Sequence, residues 1–265
     1  MDISSIIGII VGFGAILTGF LLEGGNLASL LHVSPFVIIF GGTIGAVFLN
    51  FPKSDLAQIP GMLKAVFSES HHNEVDIINQ LAELSEKARR DGLLSLEQEA
   101  QTIENPFIRK GLSLVVDGIE TQAIKDILVR ESYLHESIYE SGAKIFEAAG
   151  GYAPTMGVCG TVLGMIVVLG DMGSPAELGP KISVAFIATL LGVSFANLLF
   201  LPLAGKIKAK AAKETMTTDI IIEGLLSIQA GENPRLIKEK LNLSLIEKMN
   251  GKNGKSQSAG KEVEG

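Results

Sequence analysis

Four stretches of this chain, about residues 3–22, 34–51, 152–170 and 182–204, carry no Asp, Glu, Lys, Arg or His. Each is about as long as the ~20 apolar residues a helix needs to cross a bilayer. That pattern predicts an all-α integral membrane protein with four transmembrane helices and a helical cytoplasmic domain between helices two and three. The first stretch lacks the basic region that opens a secretory signal. Asp2 is the only charged side chain before Gly12 and Lys53 is the first basic residue, so it is read as a retained helix.

The placement of Lys and Arg sets the expected orientation, because basic residues collect on the cytoplasmic side. The short loops 23–33 and 171–181 hold one between them, Lys181, whereas segment 53–149 holds ten and the chain after Pro202 holds eleven. Both charged segments and the N-terminus are therefore expected inside. The predicted organisation is a transmembrane hairpin over 1–52, a cytoplasmic helical domain over 53–149, a second hairpin over 150–204, a helical tail over 205–250 and a disordered end over 251–265. The domain between the hairpins is acidic, seventeen Asp and Glu against ten Lys and Arg, and the tail is basic.

Helices in lipid associate through close packing of small residues. Gly8, Gly12, Ala15 and Gly19 make such a strip in span one, and Gly41 and Gly45 in span two. Ala153, Gly157, Thr161 and Gly164 continue the pattern in span three, and Ala185, Thr189, Gly192 and Ala196 in span four. For spans one and two the strips are read as helix packing. Thr161 and Thr189 sit near mid-membrane on the small-residue faces of paired helices. Either each hydroxyl bonds back to its own i−4 carbonyl, or the two form a shared polar lining. A hydroxyl holds a water or coordinates a cation but carries no charge at neutral pH. Proton and sodium pathways usually place a carboxylate inside the membrane, and these spans have none. Either the chain moves no ion, or a partner helix supplies the acid.

Pro154 is placed in the first turn of span three, where proline is tolerated. Pro202 lies near the cytoplasmic end of span four and is expected to kink it. Both read as punctuation or as hinges. In the domain between the hairpins, Ile77, Ile78, Leu81, Leu84 and Ala88 give 74–102 one apolar helical face. Gly92 is expected to end that helix and Ser95 to cap the next. Arg89, Arg90 and Glu97 are candidates for an exposed mixed-charge patch or a solvated face. Asn105-Pro106 marks another boundary. Segment 113–149 is expected to be mostly helical and to run into span three. The helix after Pro202 is expected to run to about Gln229, break at Gly231–Pro234, and resume briefly.

Several function classes are excluded. The single cysteine, Cys159, permits no intrachain disulfide framework or Cys-rich zinc site. The net charge of −7 leaves no basic footprint for nucleic acid. His71 and His72 are adjacent and lack a second ligand cluster, so they are read as a solvated loop rather than a metal site. No phosphate-binding loop, nucleophile elbow or HExxH occurs, so no catalytic residue, metal or cofactor is assigned and no enzyme is expected.

The order of these elements, with APTMGVCGTVLGM in span three, FANLLFLPLAGKIK leaving span four, RRDGLLSLE, NPFIRKGL and AGENPRLIKEKL, resembles MotA, the larger subunit of the flagellar stator. The resemblance covers almost the whole chain except the last fifteen or so residues. It implies a subunit of the bacterial cytoplasmic membrane that forms a pentamer around a dimer of MotB-type helices. The partner's intramembrane aspartate would carry the ion, and ion flow would turn the ring against the rotor protein FliG. On this reading Arg89 and Glu97, with Arg90 beside them, match rotor-contact positions. Pro154 and Pro202 match torque-coupling prolines, and Thr161 and Thr189 match hydroxyls lining the ion path. Sodium-type relatives tend to carry a further hydroxyl where this chain has Ala188, which favours protons. An ExbB/TolQ-type energiser shares the paired threonine helices but usually has three spans and an outside N-terminus. A self-contained channel would need the intramembrane charge that is missing here.

Overall fold

The computed structural model describes residues 3–67, 73–170 and 175–259. Every regular element among them is helical, as lipid demands of segments that must bond their own backbone. His71 and His72 lie outside the described residues. The elements are α1 (Ile3–Leu22), α2 (Val33–Asn50), α3 (Ile59–Phe67), α4 (Glu74–Asp91), α5 (Leu96–Thr102), α6 (Pro106–Val116), α7 (Thr121–Gly170), α8 (Pro175–Phe195), α9 (Leu201–Gln229) and α10 (Pro234–Ala259). Four stretches are long and apolar enough to cross a membrane: α1, α2, α7, and the run from Leu178 to Gln229.

The chain divides into two compact units, one of residues 1–69 and 138–210, the other of 70–137 and 211–265. These divisions differ from the boundaries at 53, 150 and 205 expected from hydropathy. Two of the three fall inside α7 and α9, because the helices continue where the polarity of their surface changes.

In the first unit, α1 meets its neighbours through one aromatic contact and one of its glycines. Phe195 of α8 meets Phe13 at 5.5 Å, Phe40 at 4.8 Å and Phe36 at 6.3 Å between ring centroids. A methyl added at Gly12 would touch Leu198, but Gly8, Gly19, Gly41 and Gly45 face open space within this chain. Of the glycines in these two strips, Gly12 alone has a close neighbour among the described residues. Two wide turns with i→i+5 bonding interrupt the spans, Val37–Gly41 in α2 and Ala196–Phe200 between α8 and α9. The second immediately precedes Pro202, whose ring and missing N–H cannot continue α-helical bonding to the preceding turn.

Pro154 is not in the first turn of its helix, contrary to expectation. α7 starts at Thr121 and Pro154 is interior. Proline has no N–H for the Gly150 carbonyl and its ring crowds that carbonyl, a liability of about 3 kcal/mol in an ordinary helix. Burial against neighbouring helices has to offset it.

The second unit has the apolar core anticipated for α4. Ile77, Ile78, Leu81, Leu84 and Ala88 are all buried, packed with Leu96, Ile108, Leu112 and Ile124, and with Ile220, Leu225 and Leu241 of α9 and α10. Asn105 caps α6, its side chain accepting from Phe107 N at 2.9 Å and Ile108 N at 3.2 Å, with Pro106 in the first turn. α9 ends at Gln229, Gly231 takes φ +71°, and α10 opens at Pro234. α10 then continues to Ala259, into the stretch expected to be disordered.

Candidate functional site

Helices α7 and α8 meet backbone to backbone. A Cβ built at Gly192 would lie 2.6 Å from the Ala153 carbonyl oxygen and 3.1 Å from Gly157 Cα. One at Gly157 would lie 2.8 Å from the Ala188 carbonyl oxygen, and one at Gly164 would lie 2.6 Å from Ala185 Cβ. Only residues without a side chain permit this approach. Gly160, which the threonine-centred strip passed over, belongs to the same seam: a Cβ there would lie 2.8 Å from Ala188 Cβ. Its signal was the three-residue step between Gly157 and Gly160, the other spacing a helical face allows.

The seam brings Thr161 and Thr189 together. Their hydroxyl oxygens are 2.5 Å apart. Thr161 Oγ1 also lies 2.9 Å from the Ala185 carbonyl and 3.2 Å from that of Gly157, while Thr189 Oγ1 is 3.5 Å from Gly157 O. The back-bond and the shared lining, posed as alternatives, therefore coexist. Each hydroxyl has one proton. Either Thr161 donates to Thr189 and Thr189 to Gly157 O, or Thr161 donates to Ala185 O and Thr189 to Thr161. In either arrangement Thr189 Oγ1 keeps a lone pair free for a donor from outside the pair. Both threonines are half-buried.

Ala188 does not join them. It is 1% exposed, and its methyl group faces Gly160 across the seam. Neighbouring positions on a helix point about 100° apart, so residue 188 looks away from the hydroxyl pair. Within this chain its methyl group packs in the seam rather than beside the hydroxyl pair.

Pro154 and Pro202 are linked through their neighbours. The glycine one turn before Pro154, Gly150, lies against the residue before Pro202: a Cβ at Gly150 would come 2.6 Å from Leu201 Cδ2 and 3.6 Å from Phe200 Cβ. The two proline turns form one packed joint within the first unit.

In the second unit, Arg89, Arg90 and Glu97 are all exposed around a turn built by Gly92. Gly92 has φ +87°, a region open to glycine and strained for other residues. Leu93–Ser95 form a single tight turn before α5. Ser95 does not cap α5 as expected: its hydroxyl donates to Gly92 O at 2.7 Å, closing the tight turn instead. The buried Leu96 side chain anchors this corner. Arg90 is engaged with Asp91, its Nη2 3.1 Å from Oδ2. That hydrogen bond holds the Asp91 carboxyl below its ordinary 3.8 and raises the guanidinium. No ion pair engages Arg89 or Glu97 among the described residues, so both charges are available. Lys87, missed in the sequence, bridges α4 to α5 through Glu99 at 2.5 Å. It had looked like any other solvated lysine. A groove of about 590 Å³ runs beside this bridge, lined by Glu83, Glu86, Glu104 and Arg90 among others.

A membrane subunit with four apolar helical stretches, a glycine seam carrying two hydroxyls and a separate charged corner defines a class of ion-coupled membrane proteins. The model of the MotA/TolQ/ExbB proton channel family matches residues 99–220, and that of the motility protein A N-terminal region matches residues 6–92. Motility protein A of Bacillus subtilis (strain 168) is 39% identical over 91% of this chain and 90% of its own length. Chemotaxis protein PomA of Vibrio alginolyticus is 32% identical over 91% and 94%. Among solved structures, C. jejuni MotAB matches with a TM-score of 0.88 at 33% identity, covering 92% of this chain and 96% of that one. The flagellar MotAB stator complex from Bacillus subtilis matches with a TM-score of 0.86 at 38% identity, covering 91% and 94%. The chain belongs to the motility protein A family of flagellar motor stator subunits. The match to the motility-specific N-terminal region separates it from ExbB/TolQ-type energisers.

Proposed function

We propose that the chain is the ring-forming half of a proton-driven stator in the bacterial cytoplasmic membrane, with both termini inside. Several copies, five by family resemblance, surround a dimer of MotB-type helices, and the partner's intramembrane aspartate carries the proton. The observation that carries this reading is a hydroxyl pair set into spans that have no charge of their own. Those spans supply no carboxylate, so the titrating group has to come from another chain.

The pair's geometry supports a proton over sodium. A protonated carboxyl needs one acceptor, which a free lone pair on Thr189 provides. Bare sodium needs several oxygens together, and the pair offers it one hydroxyl oxygen whose lone pairs are uncommitted. This argument stands beside the one from Ala188, whose position carries no hydroxyl. The partner's acid, once protonated, gains an acceptor at Thr189; ionised, it requires the hydroxyls to turn outward and donate. That difference between the two charge states is what a stepping ring has to exploit.

Pro154 and Pro202 act as the joint coupling this step to the cytoplasmic part. The exposed Arg89 and Glu97, with Arg90 steadied by Asp91, meet the rotor protein FliG. The experiment that tests the proposal is motor speed measured while proton and sodium gradients are varied independently. Speed that follows the proton gradient and ignores sodium is the expected result; dependence on sodium alone would reject the ion assignment.

A further inference from the structure

One buried polar side chain in the first unit takes no part in the site described above. Thr43 of α2 is 2% exposed, and its hydroxyl has no hydrogen-bond partner among the described residues. Threonine in a membrane helix usually bonds back to the i−4 carbonyl. Here the wide turn Val37–Gly41 lies just before Thr43, and the Gly42 N–H already approaches the carbonyls of Ile38 and Ile39. A buried hydroxyl left unpaired in an apolar interior is unfavourable.

The surroundings of Thr43 follow from helical periodicity. Ile39 and Val47, one turn to either side, are also buried and share its face. Ile39 packs with Ala153 and Ala196, with Phe200 against them, and Val47 packs with Ile145 and Ala149, again with Phe200. Thr43 therefore faces the turn of α7 over 149–153. This is the turn in which Pro154 withholds an N–H from the Gly150 carbonyl. The unpaired hydroxyl and the carbonyl that Pro154 leaves without its helical donor are thus carried by facing turns of α2 and α7, beside the joint where Gly150 packs on Leu201.

We propose that Thr43 holds an ordered water shared with the Gly150 carbonyl. Water alone among common small ligands both accepts from a hydroxyl and donates to a carbonyl without bringing charge into lipid. Register gives the site a place. Ile38 lies beside Gly160, and Gly42 beside Met156, so α2 and α7 run antiparallel. Thr43 is displaced from the level of Thr161 toward residue 149. On the stator reading, on which this second part rests, that is the cytoplasmic side, and the water is a polar station on the proton's way out of the hydroxyl pair.

The test compares Thr43→Val with Thr43→Ser in the intact two-subunit complex, reconstituted in lipid. Val preserves shape and removes the hydroxyl, whereas Ser keeps the hydroxyl and removes the methyl group. The water site predicts that Val lowers the thermal midpoint by about 2–4 °C and that Ser lowers it less. A high-resolution map of the unaltered complex should show a water within hydrogen-bonding distance of Thr43 Oγ1 and Gly150 O. A Val midpoint at or above that of the parent overturns the site, since relief of an unpaired hydroxyl gives that result. A loss as large with Ser assigns the effect to packing and also overturns it. Proton flux through the vesicles should fall several-fold in Val, and unchanged flux overturns the station. The midpoint and the map do not depend on transport, so failure of the stator reading would leave them standing.

Discussion

Gly192→Ala probes the seam on which the site is built. The added methyl carbon would sit 2.6 Å from the Ala153 carbonyl oxygen, about 0.8 Å inside the 3.4 Å at which ordinary contact begins. Both the oxygen and Gly157 Cα, 3.1 Å away, are backbone, so no side chain can swing aside. α7 and α8 must therefore move apart by a distance of that order. A shift of about 0.8 Å would stretch the 2.9 Å bond from Thr161 to Ala185 O beyond hydrogen-bonding range. Overpacking of this kind costs about 1–3 kcal/mol, and the lost hydrogen bond adds about 1 kcal/mol. At roughly 2–4 °C per kcal/mol, the midpoint of the purified complex should fall by about 5–15 °C. Swimming speed should fall with it, because the hydroxyl pair is pulled open. Gly151→Ala in α7, where a Cβ meets nothing within 4 Å in this chain, is the control. An unchanged midpoint and speed in Gly192→Ala would refute the claim that backbone contact sets the hydroxyl geometry.

Three further outcomes follow from the charged corner. Reversal of either available charge, Arg89→Glu or Glu97→Lys, should lower torque with the membrane level of the protein unchanged; full torque in both single variants and in the double variant would reject a rotor contact. Asp91→Asn should release Arg90 and alter torque by less than the Arg89 reversal; a larger loss would make Asp91 itself the contact. The Asp91 carboxyl is held low by Arg90, so the pair's small contribution is present above pH 3.8 and is lost only as pH falls through the still lower folded value. A carboxyl titration of Asp91 centred between pH 5 and 7 would contradict the pairing.

Much of the architecture was legible because burial in lipid and burial in a helical core each impose a period on the sequence. The uncharged runs marked the spans, and Ile77, Ile78, Leu81, Leu84 and Ala88 marked the core-facing side of α4. Asn105-Pro106 announced its cap because side-chain chemistry and position coincide there. Depth in the membrane also paired Thr161 with Thr189. What periodicity leaves open is which neighbour a face meets. Ala188 shares the depth of Thr189 but points at Gly160, and of the glycine strip of α1 Gly12 meets a neighbour while Gly8 and Gly19 do not. Hydropathy also locates where a helix enters lipid, not where it begins. Pro154 consequently looked like a first-turn residue although α7 starts at Thr121. Ser95 stood at a cap position, yet its hydroxyl closes the preceding turn, since both uses draw on the same short side chain.

The most direct test of the central claim is proton flux through the reconstituted two-subunit complex carrying Thr189→Val. This change keeps the side chain's shape and removes the hydroxyl that the proposal makes the acceptor for the partner's acid. Val should leave the seam packed and the ring assembled while flux and motor speed fall at least several-fold, with Thr189→Ser retaining most of both. Flux and speed equal to those of the parent in the Val variant would show that the proton passes without this hydroxyl, and the proposed pathway would be wrong.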